Sequence, residues 1–187
     1  MPDLLQLLVP IAVAAILVFV VSAVVHMLTP LHKADYGKLP GEDEVLETMR
    51  RHGAGRGHYV FPHCQSLADL DSPEMKAKFE RGPIGVLIVG KNGPMKMGST
   101  LLRWFAYTLV ISFLVAYIAS IALPKGVESK TVFRFTATTA MLGYAFEAFP
   151  DVIWRHLPLG IAVKYWIDGV LYGLATGVAF TWLWPSA

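Results

Sequence analysis

The sequence has a single cysteine and comparatively few charged residues. Cys64 stands alone, which excludes a disulfide within the chain and a metal site built only from thiolates. Charged residues make up 16% of the chain, against roughly a quarter in a typical soluble domain. The net charge of +2 is too small to indicate a nucleic-acid partner. Because the apolar residues are gathered in long blocks, these deficits favour a membrane protein.

The short motifs that often mark enzymes and cofactor-binding proteins are also missing. The chain has no Gly-x-Ser-x-Gly, no His-Glu-x-x-His, no phosphate-binding loop and no dinucleotide fingerprint. We therefore predict no catalytic residue and no cofactor, and expect a protein that is not an enzyme. Membrane enzymes can lack such motifs, so their absence argues only weakly against catalysis.

Four apolar blocks predict an all-α membrane protein with four transmembrane helices. The first helix lies within residues 1–29, and no basic residue precedes it, which favours an uncleaved helix over a signal peptide. A polar α/β insert follows at 30–98. A three-helix membrane region then occupies 99–187, with helices at about 101–123, 131–149 and 160–184.

The distribution of basic residues predicts the orientation. Residues 30–98 carry ten Lys and Arg, whereas the opposite side has Lys125 and Lys130 alone and neither terminus has a basic residue. The positive-inside rule therefore places residues 30–98 in the cytoplasm and both termini outside. A periplasmic insert is the alternative.

Capping patterns predict the elements of the insert. Acidic residues at 42–44 and basic residues at 50–52 predict a helix that suits the helix dipole. Ser72 and Pro73 predict the start of a second helix, as N-cap and first residue. Residues 57–61 and 84–89 predict two short strands. Because so few elements bury little core, the insert is expected to pack on the membrane helices or the lipid surface.

Glycines recur every four residues on the fourth predicted helix. Gly169, Gly173 and Gly177 share one face, and small residues allow close helix contact where lipid supplies no hydrophobic drive. The face either packs within the chain or binds a second copy or a partner subunit. Both alternatives stay open at the sequence level.

Charged residues near one end of the predicted bundle form a candidate cluster. Lys164 and Asp168 lie one turn apart on the fourth helix, and antiparallel pairing brings Glu147 to a similar depth. Arg103 begins the second helix on the same side. An ionised group in a membrane is costly unless it is paired. The four residues are therefore interpreted as a salt-bridge network, with an ion relay or polar ligand site as the alternative.

His58, His63 and Cys64 are the candidates for a metal site in the insert. Their spacing argues against one, because strand residues five apart point to opposite faces and no short zinc motif has this pattern. A break at Pro62 could restore the geometry. We therefore expect no metal, and keep these three residues as the alternative.

Three segments carry a resemblance to a known group of proteins. They are Gly57 to His63, Gly82 to Gly85, and Asp168-Gly169 with Trp182 to Pro185. In these three segments the chain resembles small bacterial inner-membrane proteins to which no activity is assigned. The resemblance implies a multi-pass protein of the bacterial inner membrane and names no site.

Three functions remain open at the sequence level. The first is an accessory, scaffold or assembly subunit that contacts the lipid bilayer and other membrane subunits or a second copy. The second is a small transporter or channel that uses the intramembrane charges. The third is a metal-handling membrane protein.

Overall fold

The computed structural model describes residues 1–187 as a mostly helical chain with two short strands. Helix α1 (Leu8–Ala23) is preceded by a 3-10 turn and followed by a π-helical turn, which together make one helical run, Leu4–Leu28. The other elements in chain order are α2 (Glu42–Arg51), β1 (Gly57–Phe61), a 3-10 turn (Leu67–Asp71), α3 (Pro73–Arg81), β2 (Gly85–Val89), α4 (Met97–Ala122), α5 (Ser129–Tyr144), α6 (Phe149–Arg155) and α7 (Leu159–Leu183).

The chain divides into two compact units. The helical unit comprises Met1–Asp35, Lys96–Val152 and Leu157–Ala187. The insert unit comprises Tyr36–Met95 together with Ile153–His156. Residues 30–35, which the sequence assigned to the insert, belong instead with the helices, because His32 and Asp35 contact side chains of α7.

The helical unit is a bundle of four helices. Helix α7 packs on both α1 and α5, and α4 packs on α1 and α5. Large, fully buried apolar side chains in its core come from the N-terminal run and from three of the bundle helices, and include Leu7, Val18, Val115, Val132 and Phe180. Small residues fill the closest contacts between helices, which is typical of helix pairs in membranes.

The glycine face of α7 packs against α5 in the same chain. A Cβ atom added to Gly169 would lie 2.3 Å from the Cα atom of Ala145. One added to Gly173 would lie 2.4 Å from Cγ of Met141, and one added to Gly177 would lie 2.8 Å from Cβ of Ala137. A side chain at any of these three positions would force its neighbours on or just after α5 to move. Of the two alternatives for this face, the structure therefore shows packing within the chain.

Two helices, the run Leu4–Leu28 and α4, are long and apolar enough to cross a membrane. Helix α7 has a similar length of 25 residues but carries Lys164 and Asp168. Helix α5 has 16 residues, which rise about 24 Å, less than the roughly 30 Å of a bilayer's hydrocarbon core.

The predicted C-terminal end of the third membrane helix was wrong. We expected it to reach residue 149, but α5 ends at Tyr144 and a separate helix, α6, begins at Phe149. Pro150 explains the break. Its ring clashes with the carbonyl group four residues earlier in a continuous helix, but it fits in the first turn of a new one.

The insert unit contains the elements that the capping patterns predicted. Ser72 accepts a hydrogen bond from the backbone N–H of Met75 at 3.2 Å, and Gly82 ends α3 at a positive φ of 58°. Strands β1 and β2 pair in antiparallel fashion, with Gly57 opposite Val89. No residue between 36 and 95 is buried, so this segment has no core of its own.

Candidate metal centre

The first helical run ends in a turn that a threonine side chain stabilises. His26 lies in the last turn, Val24–Leu28. The Thr29 hydroxyl donates to the backbone oxygen of Val25 at 2.6 Å and accepts from the N–H of Leu31 at 3.3 Å. The chain therefore stops forming a helix and folds back just after His26.

The turn after Thr29 places two further polar residues beside α7. His32 and Asp35 lie in this turn, with side chains that are 11% and 1% exposed. On α7, Lys164 and Asp168 are one turn apart and share a face. These four side chains and His26 meet at one end of the bundle.

His26, His32 and Asp168 form a three-residue group, which we call the His–His–Asp cluster. Nε2 of His32 lies 3.0 Å from Oδ2 of Asp168, and Nε2 of His26 lies 3.5 Å from the same oxygen. The two imidazole rings are stacked with their centroids 4.2 Å apart. One ligand atom from each residue lies within 4.8 Å of the other two.

The contact between His32 and Asp168 does not have hydrogen-bond alignment. Neither Nε2 of His32 nor either Asp168 carboxylate oxygen has a hydrogen-bond partner, although all three atoms are buried. Such atoms are costly to leave without a partner. Two ligands of a tetrahedral ion, each about 2.1 Å from it, lie about 3.4 Å apart, close to the separations found here.

Asp35 contacts the Nδ1 atom of the His32 ring. Nδ1 of His32 lies 2.6 Å from Oδ2 of Asp35, and Lys164 donates to the other carboxylate oxygen at 2.5 Å. The hydrogen bond from Lys164, together with that from His32, holds the pKa of Asp35 below its ordinary value. An ionised Asp35 accepts a hydrogen bond from the Nδ1–H group of His32, which keeps the proton on Nδ1 and leaves the Nε2 lone pair free. Metal-binding histidines are commonly oriented by a carboxylate in this way.

The charge balance of the cluster favours a cation. Lys164 is paired with Asp35, and the contacts of the Asp168 carboxylate, 4% exposed, with groups that can carry positive charge are those with the two imidazoles. A buried carboxylate requires compensation. Two stacked imidazolium rings would repel each other, whereas one bound divalent cation would compensate Asp168 and use both neutral rings.

A cavity of about 560 Å³ adjoins the cluster, with His26 and Asp168 in its wall. Four aromatic side chains in its wall contact one another in a closed ring, with centroid distances of 5.5 to 5.9 Å: Trp104, Tyr107, Tyr144 and Tyr172. The Tyr172 hydroxyl lies 3.3 Å from Nε2 of His26. The indole N–H of Trp104 donates to the Ser22 hydroxyl at 2.8 Å.

The four charged residues singled out in the sequence do not pair with one another. Lys164 pairs with Asp35, and Asp168 contacts the two histidines. Glu147 lines the cavity, as Asp168 does, whereas Arg103 is exposed and forms no ion pair. The expected network therefore has different members, because the turn after Thr29 supplies the partners.

The candidates in the insert are not part of this centre. His58 lies on β1 opposite Ile88, and Cys64 is a free thiol. The group of three metal-ligating side chains in the structure consists of His26, His32 and Asp168, and includes neither of these residues nor His63.

Sequence reasoning missed His26, His32 and Asp35. It placed His26 within the first membrane helix, at residues 1–29, and placed His32 and Asp35 in the polar insert. A signal was present: two histidines six residues apart flank Pro30, and an aspartate follows within the same short stretch. Only the fold shows that this stretch faces Asp168.

Comparison with known proteins gives no family assignment. The resemblance to small bacterial inner-membrane proteins has no support beyond the residues that suggested it. Function is therefore inferred from the cluster, its supporting ion pair and the adjoining cavity. No protein-family model, no curated protein and no solved structure matches this chain.

Proposed function

We propose that this chain is a membrane protein that binds one divalent transition-metal ion through His26, His32 and Asp168. The observation that supports it most directly is the close but misaligned approach of His32 to the buried Asp168 carboxylate. The Asp35 carboxylate contacts Nδ1 of His32 and would orient this imidazole toward the metal, as carboxylates do at many metal sites.

The donor set restricts the choice of metal. Two imidazoles and one carboxylate suit Zn²⁺ and Fe²⁺, whereas Mg²⁺ and Ca²⁺ prefer oxygen ligands throughout. Structural zinc sites use four protein ligands, but this group provides three. A fourth position is therefore left for water or for a molecule in the cavity, as in sites where the metal acts on a ligand.

The membrane arrangement is part of the proposal. The run Leu4–Leu28 and α4 have the length and composition of spans. We assign α5 and α7 as the remaining two crossings, with both termini outside and the insert in the cytoplasm of a bacterium. Lys164, which would be costly in lipid on its own, is paired with Asp35, and the bound ion would compensate the Asp168 carboxylate.

The other two expected functions have less support. The glycine face that suggested an accessory subunit is occupied by α5 within the chain, so it offers no surface to a partner. Of the four charged residues that suggested a transporter, Lys164 pairs with Asp35 and Asp168 contacts the two histidines, whereas Arg103 is exposed and forms no ion pair.

Metal titration of the purified protein tests the proposal. Co²⁺ added to metal-free protein should give the visible absorption of a low-coordinate site at one ion per chain, and Zn²⁺ should displace it. His32→Asn should abolish this absorption. His63→Asn and Cys64→Ser are matched controls and should retain it. The proposal is contradicted if the wild type gives no absorption, or if His32→Asn keeps it.

A further inference from the structure

We infer that the cavity beside the cluster binds an electrically neutral, lipid-soluble molecule whose polar head presents an oxygen atom to the metal. This inference rests on the metal site proposed above and adds to it the class of ligand. It depends on the exposed apolar side chains in the cavity wall, the unpartnered polar atoms in that wall and the charge balance of its lining.

Exposed apolar side chains in the wall of the cavity lie on the two helical runs that could cross a membrane. Met27 of the first run and Met97 and Leu101 of α4 line the cavity, and they are 77%, 57% and 41% exposed. Both runs are long and apolar enough to cross a membrane. A molecule that enters between these side chains therefore comes from a hydrocarbon phase and brings an apolar body with it.

The wall of the cavity offers polar groups that lack partners within the protein. Tyr144 is 4% exposed, lines the cavity, and its hydroxyl has no hydrogen-bond partner. The two Asp168 oxygens are likewise buried without hydrogen-bond partners. An oxygen-bearing head could accept a hydrogen bond from Tyr144 and also occupy the position that the three protein ligands leave open. The volume is within the usual range of small-molecule sites, about 300–1,000 Å³.

The charge of the lining favours a neutral head. Two carboxylates line the cavity, those of Asp168 and Glu147, and a bound divalent ion balances both. Lys164 is neutralised by Asp35, and His26 is uncharged when it binds a metal. With the ion bound, the lining carries no net charge, so it offers no compensation to an anionic or a cationic head. A charged head would also lose its hydration in the apolar part of the cavity.

A series of three probes with the same chain tests the inference. Protein loaded with Co²⁺ in phosphatidylcholine nanodiscs would be titrated with 1-dodecanol, dodecanoate or dodecylamine, and its visible spectrum followed. Dodecanol should change the spectrum saturably, and the two charged probes should bind about tenfold more weakly or worse. Tighter binding of dodecanoate or dodecylamine would overturn the neutral head.

Two variants locate the response in the cavity. Ala23→Trp places a large side chain in the cavity from the first helical run, and Val20→Trp, on the exposed side of the same helix, is the matched control. The first should keep the Co²⁺ spectrum and lose the dodecanol response, while the second should keep both. Tyr144→Phe should weaken the response without changing Co²⁺ binding.

The outcomes separate the two proposals. If the wild type binds no Co²⁺, the metal site itself is wrong. If Co²⁺ binds but no probe changes its spectrum, only the ligand inference fails. If Ala23→Trp and Tyr144→Phe both respond as the wild type does, the probe reaches the metal by another route and the cavity is not its site.

Discussion

Asp168 is the residue on which the proposed chemistry depends. Its carboxylate lies inside the bundle within 3.5 Å of two imidazoles, and the nearest lysine on its own helix, Lys164, is paired with Asp35. In the metal-free protein this carboxylate destabilises the fold unless an imidazole takes up a proton. In the proposed metal-bound form it would be a ligand, and folding would then be linked to metal binding.

Zinc should therefore stabilise the wild type but not a variant without this carboxylate. At a free Zn²⁺ concentration a hundredfold above the dissociation constant, linkage predicts a gain of about 2.7 kcal/mol in the free energy of unfolding. Asp168→Asn should show no gain, and its metal-free form should be at least as stable as the wild type. Thermal unfolding with and without Zn²⁺ measures the gain in stability and the stability of the metal-free form. An equal gain in the two proteins would exclude Asp168 as a ligand.

Asp35 acts one step further from the metal, through His32. Asp35→Asn removes the charge that orients the imidazole and fixes its proton on Nδ1. Loss of a carboxylate in this position typically lowers metal affinity about 10- to 100-fold without abolishing binding. Competition with a zinc chelator measures the change, and Asp43→Asn on the exposed helix α2 is the control. Unchanged affinity in Asp35→Asn would mean that the pair with His32 is only structural.

At the scale of elements, the pairing of α5 with α7 holds Asp168 in place. The backbones approach closely along the glycine face, where a Cβ on Gly173 would lie 2.9 Å from the backbone oxygen of Ala137. A backbone atom cannot move aside as the end of a flexible side chain does. The glycine face therefore fixes the register of α7 and the depth of its polar residues.

Gly173→Leu should be strongly destabilising. Overpacking of this kind typically costs about 1–3 kcal/mol or more, which exceeds the roughly 1 kcal/mol that a helix gains when a glycine is replaced. Gly160→Leu on the same helix is the matched control, because a Cβ there meets nothing within 4 Å. Unfolding in detergent, followed by circular dichroism, compares the two. Equal stability of the variants would contradict the packing described here.

Local patterns in the sequence were enough to predict the elements of the insert. Ser72 and Pro73 specify a helix start by their own chemistry, and a strand ends before Pro62 for a similarly local reason. The break between α5 and α6 was missed, although Pro150 marks it, because the apolar pattern runs through this position. The metal centre could not be predicted, because it joins His26 and His32 to Asp168, which is more than 130 positions away in the sequence. Only the packing of α1 on α7 brings these residues together.

At the scale of the whole molecule, chemical labelling of the single cysteine tests the proposed orientation of the chain in the membrane. Cys64 lies in the insert, which we place in the cytoplasm, and it is a free thiol. In intact bacterial spheroplasts a membrane-impermeant maleimide should not label it, and labelling should appear after permeabilisation. In a Cys64→Ser background, Ala187→Cys should be labelled without permeabilisation. The reverse pattern would place the insert outside, and labelling of both cysteines in intact spheroplasts would contradict the three crossings that we assign between the insert and the C-terminus.

X-ray absorption spectroscopy of the zinc-loaded protein tests the metal site most directly, because it reports the ligand types themselves. We predict nitrogen and oxygen ligands at about 2.0–2.2 Å, with the outer-shell scattering of two imidazoles and no sulfur. His26→Asn or His32→Asn should each reduce the imidazole contribution to one or abolish zinc binding, while His58→Asn should leave the spectrum unchanged. A sulfur ligand at about 2.3 Å would place the metal at Cys64 and contradict the site proposed here.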